Sequence, residues 1–449
     1  MAATLIDSQV FSGLFSTPAM SEIFSDRQRV QYYLDVEAAL ARVQARLDII
    51  PKEAADEICH HCRAEEIDLE QLRSQTELIG YPVFGVVQQL VERCKGGLGQ
   101  WCHWGTTTQD ITDTATVLQI RAALKLVETE VDEIAGALAS LAEDYRDTPM
   151  VARSNLQQAV PITFGYKAAV WLAGFHRHQQ RLAEIKKRVL VGEFGGAAGN
   201  LASLGDQGLE VQAGLMKELN LAIPVIAWHT MRDRIAELAC LLGLITGTLS
   251  KIALDIKLMA QTEVGEVTEP FTAGRGASST MPQKHNPVSS VYMSGIVPIV
   301  RQQVAALLNA MEEDHERATG TWEIEWVVLP EIFCLSAAAL AQAKFALRGL
   351  NVHPDNMMRN LQMTGGLVSS EAVMMGLGPK IGREKAHDLV YKICCQAMET
   401  DRPFADLLKE NNEVSKALTD NEVDKLLDPN NYLGLCGEMV DRTLARQDK

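Results

Sequence analysis

The feature that most constrains this chain is a series of long segments in which apolar residues recur every three or four positions. This spacing predicts amphipathic helices, because it places the apolar side chains on one helix face. Several segments exceed 25 residues, more than an average globular helix, and no strands alternate with them. We expect an all-α fold built on a long helix bundle, with little β structure. The predicted helices cover residues 26–47, 112–145, 164–189, 231–263, 288–312 and 329–350.

Composition narrows the class of protein. The 449 residues include 47% hydrophobic residues and have a formal net charge of -16, which argues against nonspecific nucleic-acid binding. We see neither a basic, apolar N-terminal leader nor 18 successive uncharged apolar residues, so we expect no secretory signal and no membrane span. Nine scattered cysteines make a disulfide framework improbable on count and spacing. We expect a cytoplasmic, reduced protein.

One cysteine and histidine cluster raises the question of a metal. Cys59, His60, His61 and Cys62 are consecutive and could be zinc ligands. Their alternative role is as ordinary residues of a helix. No second pair follows at zinc-finger spacing, so we favour the helix and predict no metal site.

The longest break between the central helices, residues 274–287, has the composition of an anion site. Two glycines flank Arg275 and allow unusual backbone angles, and Pro287 can open the next helix. A helix N-terminus beside Lys284 and Asn286 would attract an anion and could stabilise a serine alkoxide. A polar surface loop is the alternative interpretation. The candidate residues are Arg275, Ser278, Ser279, Met281, Lys284 and Asn286.

Three further polar segments lie next to predicted helices. Residues 103–114 hold consecutive threonines that could bind a carboxylate or cap a helix. Residues 153–161 offer a cation and three amide side chains, or an ordinary polar helix entry. Residues 228–234 hold a histidine and two arginines, which could bind a carboxylate or form an ion pair with Asp233 or Glu237. The candidates are His103, Thr107, Thr108, Arg153, Asn155, Gln157, Gln158 and His229.

Taken in order, these segments resemble the fumarase/aspartase superfamily. Residues 278–287, Ser-Ser-Thr-Met-Pro-Gln-Lys-His-Asn-Pro, match its loop of two serines, Met-Pro, lysine and Asn-Pro. Residues 15–26 and 228–234 resemble the 3-carboxy-cis,cis-muconate cycloisomerase branch, which also resembles adenylosuccinate lyases. Residues 77–82 and 153–161 are most similar to the fungal trans-aconitate decarboxylases of that branch.

The resemblance implies an architecture. It implies three helical domains, here residues 1–113, 114–355 and 356–449, with the long bundle in the middle. Four subunits would join their bundles into a twenty-helix core, giving a homotetramer whose active sites each use segments of three chains. The resemblance implies no metal and no organic cofactor, and its partner is a small polycarboxylate.

The resemblance also implies roles for residues. Ser278 matches the family's base, which removes a proton next to a carboxylate and leaves a doubly charged aci-carboxylate. Lys284 and Asn286 would stabilise that charge. Thr107 and Thr108 match hydroxyls that hold substrate carboxylates. Gln157 matches a substrate-binding glutamine, while Arg153, Arg275, Ser279 and Met281 lie in the same substrate-binding segments.

Two departures bear on the reaction. Asn155 stands where adenylosuccinate lyases have a histidine acid, and Gln158 stands where cycloisomerases often have a histidine. An amide cannot donate a proton at neutral pH, which leaves His103 and His229. Fewer proton carriers favour loss of CO₂, so we predict a lyase that converts trans-aconitate to itaconate. Alternatives are a 3-carboxymuconate cycloisomerase, a C–N lyase, and a non-catalytic relative, against which the intact loop residues argue.

Overall fold

A computed structural model describes residues 4–270, 275–276, 280–281, 283–317 and 319–445. Helix accounts for 71% of the chain, so the predicted all-α class is confirmed. The α-helices are α1 (Ser12–Phe15), α2 (Pro18–Ile23), α3 (Asp26–Arg46), α4 (Lys52–His61), α5 (Leu69–Ile79), α6 (Pro82–Arg93), α7 (Thr108–Asp144), α8 (Phe164–Val189), α9 (Gly208–Leu219), α10 (Asp233–Met259), α11 (Val288–Asn309), α12 (Thr321–Arg348), α13 (Pro354–Gln362), α14 (Ser370–Ile381), α15 (Arg383–Thr400), α16 (Phe404–Glu410), α17 (Asn412–Ala417), α18 (Asp420–Leu427) and α19 (Cys436–Leu444).

The strands are few and short, as expected from the sequence. One antiparallel hairpin pairs β1 (Pro149–Ser154) with β2 (Gln157–Thr163), with an irregularity between Val151 and Arg153. A second pair joins β3 (Val267–Thr268) to β4 (Asn351–Val352). Short 3₁₀ segments lie at Ala64–Glu66, Lys95–Trp101, Ala202–Gln207, Leu367–Ser369 and Pro429–Tyr432.

The long helices lie close to the predicted segments. α8 spans the residues predicted for it, and α3 ends one residue earlier than predicted. α12 differs most, because it begins at Thr321 rather than at 329 and runs through Pro330. Proline is best tolerated in the first turn of a helix, so its position in the sequence favours a later start than the structure has.

The described chain forms two compact units. The first unit comprises Met1–Val131, His178–Leu249 and Ser294–Ala341, and the second unit comprises the remaining three stretches. Every cut falls within one of the helices α7, α8, α10, α11 or α12. The division into three domains at residues 113 and 355 stays a prediction.

Each unit has its own hydrophobic core. In the first unit α3 contributes a face of small and apolar residues, among them Leu34 and Leu40, which packs with Val211 and Leu215 of α9. In the second unit a core forms between α14 and α18 around Phe404. These cores give the polar segments of each unit a rigid base.

Three helices are long and apolar enough to cross a membrane when length and composition alone are considered. They are α10, α11 and α12, and burial within the described chain covers 56%, 28% and 67% of their most apolar windows. Half-exposed apolar side chains remain along them, at Leu244, Leu254, Val291, Ile299, Leu308 and Val327.

Candidate active site

The threonine-rich turn before α7 is held by the carboxylate of Asp110. Its Oδ2 accepts hydrogen bonds from the Thr107 N–H and the Thr106 hydroxyl, both at 3.0 Å. An acid at the third helical position that reaches back to the N-cap amide stabilises the helix start. Thr107 and Thr108 are half-buried, so their backbone is held while their side chains lie at the surface. Capping and carboxylate binding are therefore compatible here.

The same carboxylate holds a glycine-rich segment. Asp110 is completely buried, and its two oxygens also accept hydrogen bonds from the N–H groups of Gly195 and Gly196, each at 2.9 Å. A Cβ on Gly195 would lie 2.8 Å from that of Ala227, closer than two such carbons approach. Glycine is thus needed for Asp110 to join the two segments.

His229, which was predicted to bind substrate, is hydrogen-bonded to the same Asp110. Its side chain is 3% exposed, and its Nε2 donates to Asp110 Oδ1 at 2.8 Å and lies 3.7 Å from Glu193 Oε1. Burial lowers the pKa of His229, but the hydrogen bond to Asp110 and the two acidic neighbours outweigh it and raise the pKa. Burial raises the pKa of Glu193 to about 7. Substrate binding by His229 stays a prediction.

Asp110, Glu193 and His229 are also close enough to one another to hold a metal ion. A metal ligand needs free lone pairs, and both oxygens of Asp110 already accept from N–H or O–H donors. The donor set therefore fits a hydrogen-bonded carboxylate better than a metal ligand.

His103, the other predicted site histidine, has a different environment. Its Nδ1 donates to Glu37 Oε1 at 2.5 Å, and the Glu37 side chain is 1% exposed against 23% for His103. Burial lowers the pKa of His103, but the charge of Glu37 and its hydrogen bond outweigh burial, so the pKa is raised. A partly exposed, readily protonated imidazole is a suitable proton donor.

Arg317 is a site residue that the sequence did not reveal. It lies between α11 and α12, and its Nε donates to Gln109 Oε1 at 2.7 Å. Its Nη1 donates to the Thr107 hydroxyl at 3.1 Å and to the Ala197 carbonyl at 3.2 Å. The threonine turn therefore has a guanidinium beside its hydroxyls, which makes it a stronger carboxylate site than hydroxyls alone. In the sequence, the only indication of Arg317 is that it ends a run of charged residues at 312–317.

Arg232 is a buried arginine that supports the threonine turn through hydrogen bonds to acidic residues. Arg232 makes paired hydrogen bonds to Asp113 at 2.8 and 3.0 Å and also bonds Glu325. Gln109 connects this cluster to the turn, since its Nε2 donates to Asp113 and to the His229 carbonyl. Arg232 is thus a supporting residue. It forms ion pairs, but with Asp113 and Glu325 rather than with the predicted partners Asp233 or Glu237.

In the second unit the segment 153–161 forms the β1–β2 hairpin rather than a polar helix entry. Arg153 makes a bidentate pair with the buried Glu266, at 2.7 and 2.9 Å. Gln158 donates to the Asn360 carbonyl at 2.9 Å. Both side chains therefore anchor the hairpin close to its turn, while Asn155 and Gln157 are exposed at its tip. Substrate binding by these four residues stays a prediction.

The described residues of the predicted catalytic loop show how its two ends meet. Asn286 Nδ2 donates to the Gly276 carbonyl at 2.9 Å. Arg275 donates to the Ser289 hydroxyl and to Gln342, each at 2.7 Å, and lies 4.0 Å from the ring centre of Phe345. Lys284 and Met281 are exposed. Ser278 and Ser279 lie outside the described residues.

The N-terminus of α11 differs from its predicted role as an anion site. Its Ser289 and Ser290 N–H groups donate to the carboxylate of Glu269 at 2.9 and 2.8 Å. The helix is therefore already neutralised by an internal carboxylate, and that part of the prediction is wrong. A cavity of about 400 Å³ adjoins this end of α11, lined by Arg275, Asn286 and Glu269 among others. The Ser289 and Ser290 N–H groups are thus not available to an anion in this cavity.

Comparisons with known proteins identify families that match this chain. The family described as Lyase matches residues 14–301, and the adenylosuccinate lyase C-terminus matches residues 366–443. Trans-aconitate decarboxylase 1 of Mycosarcoma maydis is 60% identical over 97% of this chain and 88% of its own.

Two further relatives place the chain in the same group. The 3-carboxy-cis,cis-muconate cycloisomerase of Pseudomonas aeruginosa is 45% identical over 98% of this chain and 96% of its own. A crystal structure of a fumarate lyase from Mesorhizobium is 47% identical and superposes with a TM-score of 0.91, covering 96% of this chain and 98% of that one.

Proposed function

This chain belongs to the lyase family that matches residues 14–301, and from that membership we propose that it decarboxylates trans-aconitate to itaconate. The observation that supports the substrate is the 60% identity, over nearly the whole chain, to the Mycosarcoma maydis decarboxylase. The departures at Asn155 and Gln158 support loss of CO₂ over reactions that use a histidine at those positions.

The chemistry can be written with electrons balanced. The bond between the CH₂ carbon and its carboxylate breaks, and CO₂ leaves without the bonding pair. That pair forms a new double bond from the former CH₂ carbon to the central carbon. The electrons of the old double bond move to the former alkene CH, which is next to a second carboxylate. One proton then adds to that carbon, giving itaconate. The intermediate is a carbanion stabilised by a carboxylate, the species that the family's site is suited to hold.

The chain's own residues can supply what these steps need. Arg317 with Thr107, together with Lys284, provides positive charge and hydrogen-bond donors for the carboxylates. His103, kept protonated by Glu37, is one candidate proton donor. Ser278 is the other, acting in the opposite direction to the family's base. These assignments are part of the proposal.

The experiment that tests the function is incubation of purified protein with trans-aconitate in D₂O, followed by NMR. We expect itaconate with one deuterium in the CH₂ that carries a carboxylate, and none in the terminal =CH₂. Ser278→Ala is expected to abolish turnover with a nearly unchanged Tm. No itaconate at high enzyme concentration would refute the substrate.

A cycloisomerase is the second candidate, favoured by the 45% identity to the Pseudomonas aeruginosa enzyme. It would use the same charged groups on a longer tricarboxylate and would add a carboxylate oxygen across a double bond. Loss of the 3-carboxymuconate absorbance on adding enzyme, without CO₂ release, would support this candidate over decarboxylation.

We also propose a homotetramer whose active sites each draw segments from three subunits. Support comes from α10, α11 and α12, whose apolar faces are incompletely covered within the described chain. Long helices with such faces are buried in helix bundles. Light scattering on the purified protein should give about four times the 49.3 kDa mass of one chain; a monomer at micromolar concentration would refute this.

A further inference from the structure

We propose that Leu156, at the tip of the β1–β2 hairpin, contacts the uncharged carbon chain of the bound substrate. This inference rests on the proposed function and adds a substrate-contacting residue to it. The relevant observations are the backbone of the tip, the exposure of the leucine and the rigidity of the hairpin below it.

The backbone of the tip is unfavourable for leucine. Ser154 pairs with Gln157, so the hairpin turns through two residues only. Asn155 and Leu156 have φ of 51° and 65°, and positive φ at both central residues is characteristic of a type I′ turn. Asn-Gly is the preferred pair there, because asparagine tolerates positive φ and glycine has no Cβ to crowd the backbone.

Among the described residues, burial of Leu156 does little to offset this strain. The residue is 74% exposed, so it gains little from burial in the described chain. A turn selected only for stability would have glycine at this position. A strained residue that persists with little burial to stabilise it points to a role outside the folded chain.

The hairpin holds this tip in one place. Arg153 and Gln158 face each other across the strands and bond Glu266 and the Asn360 carbonyl. Below them Val151 is completely buried against Leu361 and Val368. A rigid base with an exposed tip suits a part of the molecule that meets a ligand.

The chemistry of the proposed substrate accounts for a leucine at the tip. The predicted substrate ligands are mostly charged or polar, among them Thr107, Thr108, Gln157, Lys284 and Asn286. Trans-aconitate has three carboxylates, but its alkene and CH₂ carbons are uncharged and planar over the double bond. Leu156 lies between two of the candidate ligands, Asn155 and Gln157, and can cover that apolar surface while they bond the carboxylates.

The test compares Leu156→Gly with Leu156→Ala. Both remove the apolar contact, so kcat/KM for itaconate formation should fall about tenfold in each, in line with the loss of a few methylene contacts. Leu156→Gly also relieves the turn, so its Tm should equal or exceed that of the wild type. Leu156→Met should restore most of the activity.

Leu209 provides the matched control, since it is 71% exposed on α9 with ordinary helical geometry. Leu209→Ala should leave kcat/KM within twofold of the wild type. The proposal is overturned if kcat/KM is unchanged in both Leu156 variants. It is also overturned if activity falls together with Tm or with the mass of the assembly, because leucine would then serve folding or subunit contact.

The two proposals fail in different ways. If the wild type makes no itaconate, the proposed substrate is wrong, and the same variants are compared on 3-carboxymuconate. A tenfold fall there supports the contact with a different carbon chain. An unchanged rate there, or itaconate formation that is equal in all variants, refutes the role of Leu156.

Discussion

Arg317 donates to the Thr107 hydroxyl and to Gln109, which places a permanent positive charge at the predicted carboxylate site. We expect Arg317→Gln to lower kcat/KM by about 10²–10³, the usual effect of removing one charged stabilising donor. Steady-state kinetics on trans-aconitate measure this change. Arg301→Gln, on an exposed position of α11, is the control and should retain activity. A comparable loss in both variants, or a large fall in Tm for Arg317→Gln, would contradict a role in binding.

Glu313 should make stability depend on pH. Burial raises the pKa of Glu313 to about 7, with Glu325, Asp113 and Glu323 adding to the effect and Arg232 opposing it. In the unfolded chain a glutamate ionises near pH 4.5, so between about 4.5 and 7 the folded state binds more protons. Stability therefore falls as pH rises through that range and levels off above it.

The matching variant is Glu313→Gln, which keeps the shape and removes the ionisation. Its Tm should exceed that of the wild type at pH 8 and should approach it at pH 4.5. The raised pKa values of Glu193 and His103 act in the same direction, so some pH dependence will remain. Glu316→Gln, at an exposed position nearby, should follow the wild type. Parallel curves for the wild type and Glu313→Gln would show that this carboxyl does not titrate as described.

Single residues were predictable where the chemistry lies in one contiguous motif. Ser278, Lys284 and Asn286 share one short segment, so their types and order single them out as candidates, and their roles stay predictions. Arg317 and Glu269 were not predictable, because their partners Thr107 and Ser289 are brought close only by folding. Most charged residues are solvated, so an arginine or glutamate in a run of charges has no distinguishing signal.

The β1–β2 hairpin is an element whose position rests on a buried carboxylate. Glu266 is completely buried, and it accepts from both ends of the Arg153 guanidinium and from Asn360 Nδ2. Glu266→Gln should lower the free energy of unfolding by about 2 kcal/mol, less than for a fully buried pair because Arg153 is 26% exposed. Urea unfolding measures this change.

The activity of Glu266→Gln should fall together with its stability, because the tip of the hairpin loses its support. Glu263→Gln, at an exposed position close by in sequence, should change neither quantity. A stable Glu266→Gln protein with full activity would mean that the packing of Val151 and the bond from Gln158 to the Asn360 carbonyl are enough to hold the hairpin.

Elements were predictable to the extent that their pattern is periodic. α8 was predicted to the residue, because its apolar spacing continues to both ends. The β1–β2 hairpin was missed because polar residues dominate its turn and its strands are short. Its stability comes from Glu266 and Asn360, which lie more than a hundred residues away from Arg153 and Gln158.

For the whole molecule, shared active sites predict rescue between inactive variants. Ser278→Ala inactivates the loop, and Arg317→Gln weakens the threonine turn in the other compact unit. If the two come from different subunits, some sites in mixed tetramers will have both segments intact. Co-expression should then restore activity, up to about a quarter of the wild-type value for random assembly of four subunits. Activity no higher than in the separate variants would show that each site uses one chain.

The tetramer could be expected from sequence only through the resemblance. Apolar periodicity in α10, α11 and α12 indicates that these helices are buried. The periodicity does not show whether the helix faces are buried within the same chain or against another chain, because apolar residues have the same spacing in either case. The half-exposed Leu244, Ile299 and Val327 in the structure are what favour another chain.

Glu269 has a consequence for how α11 behaves when ligand is absent. Because this carboxylate bonds the Ser289 and Ser290 amides, the first turn of the helix does not depend on a bound anion for its hydrogen bonds. In deuterium exchange those amides should be protected equally in the empty and the occupied enzyme. Substrate release then leaves no frayed helix end beside the catalytic segment, and each turnover can begin from an intact α11.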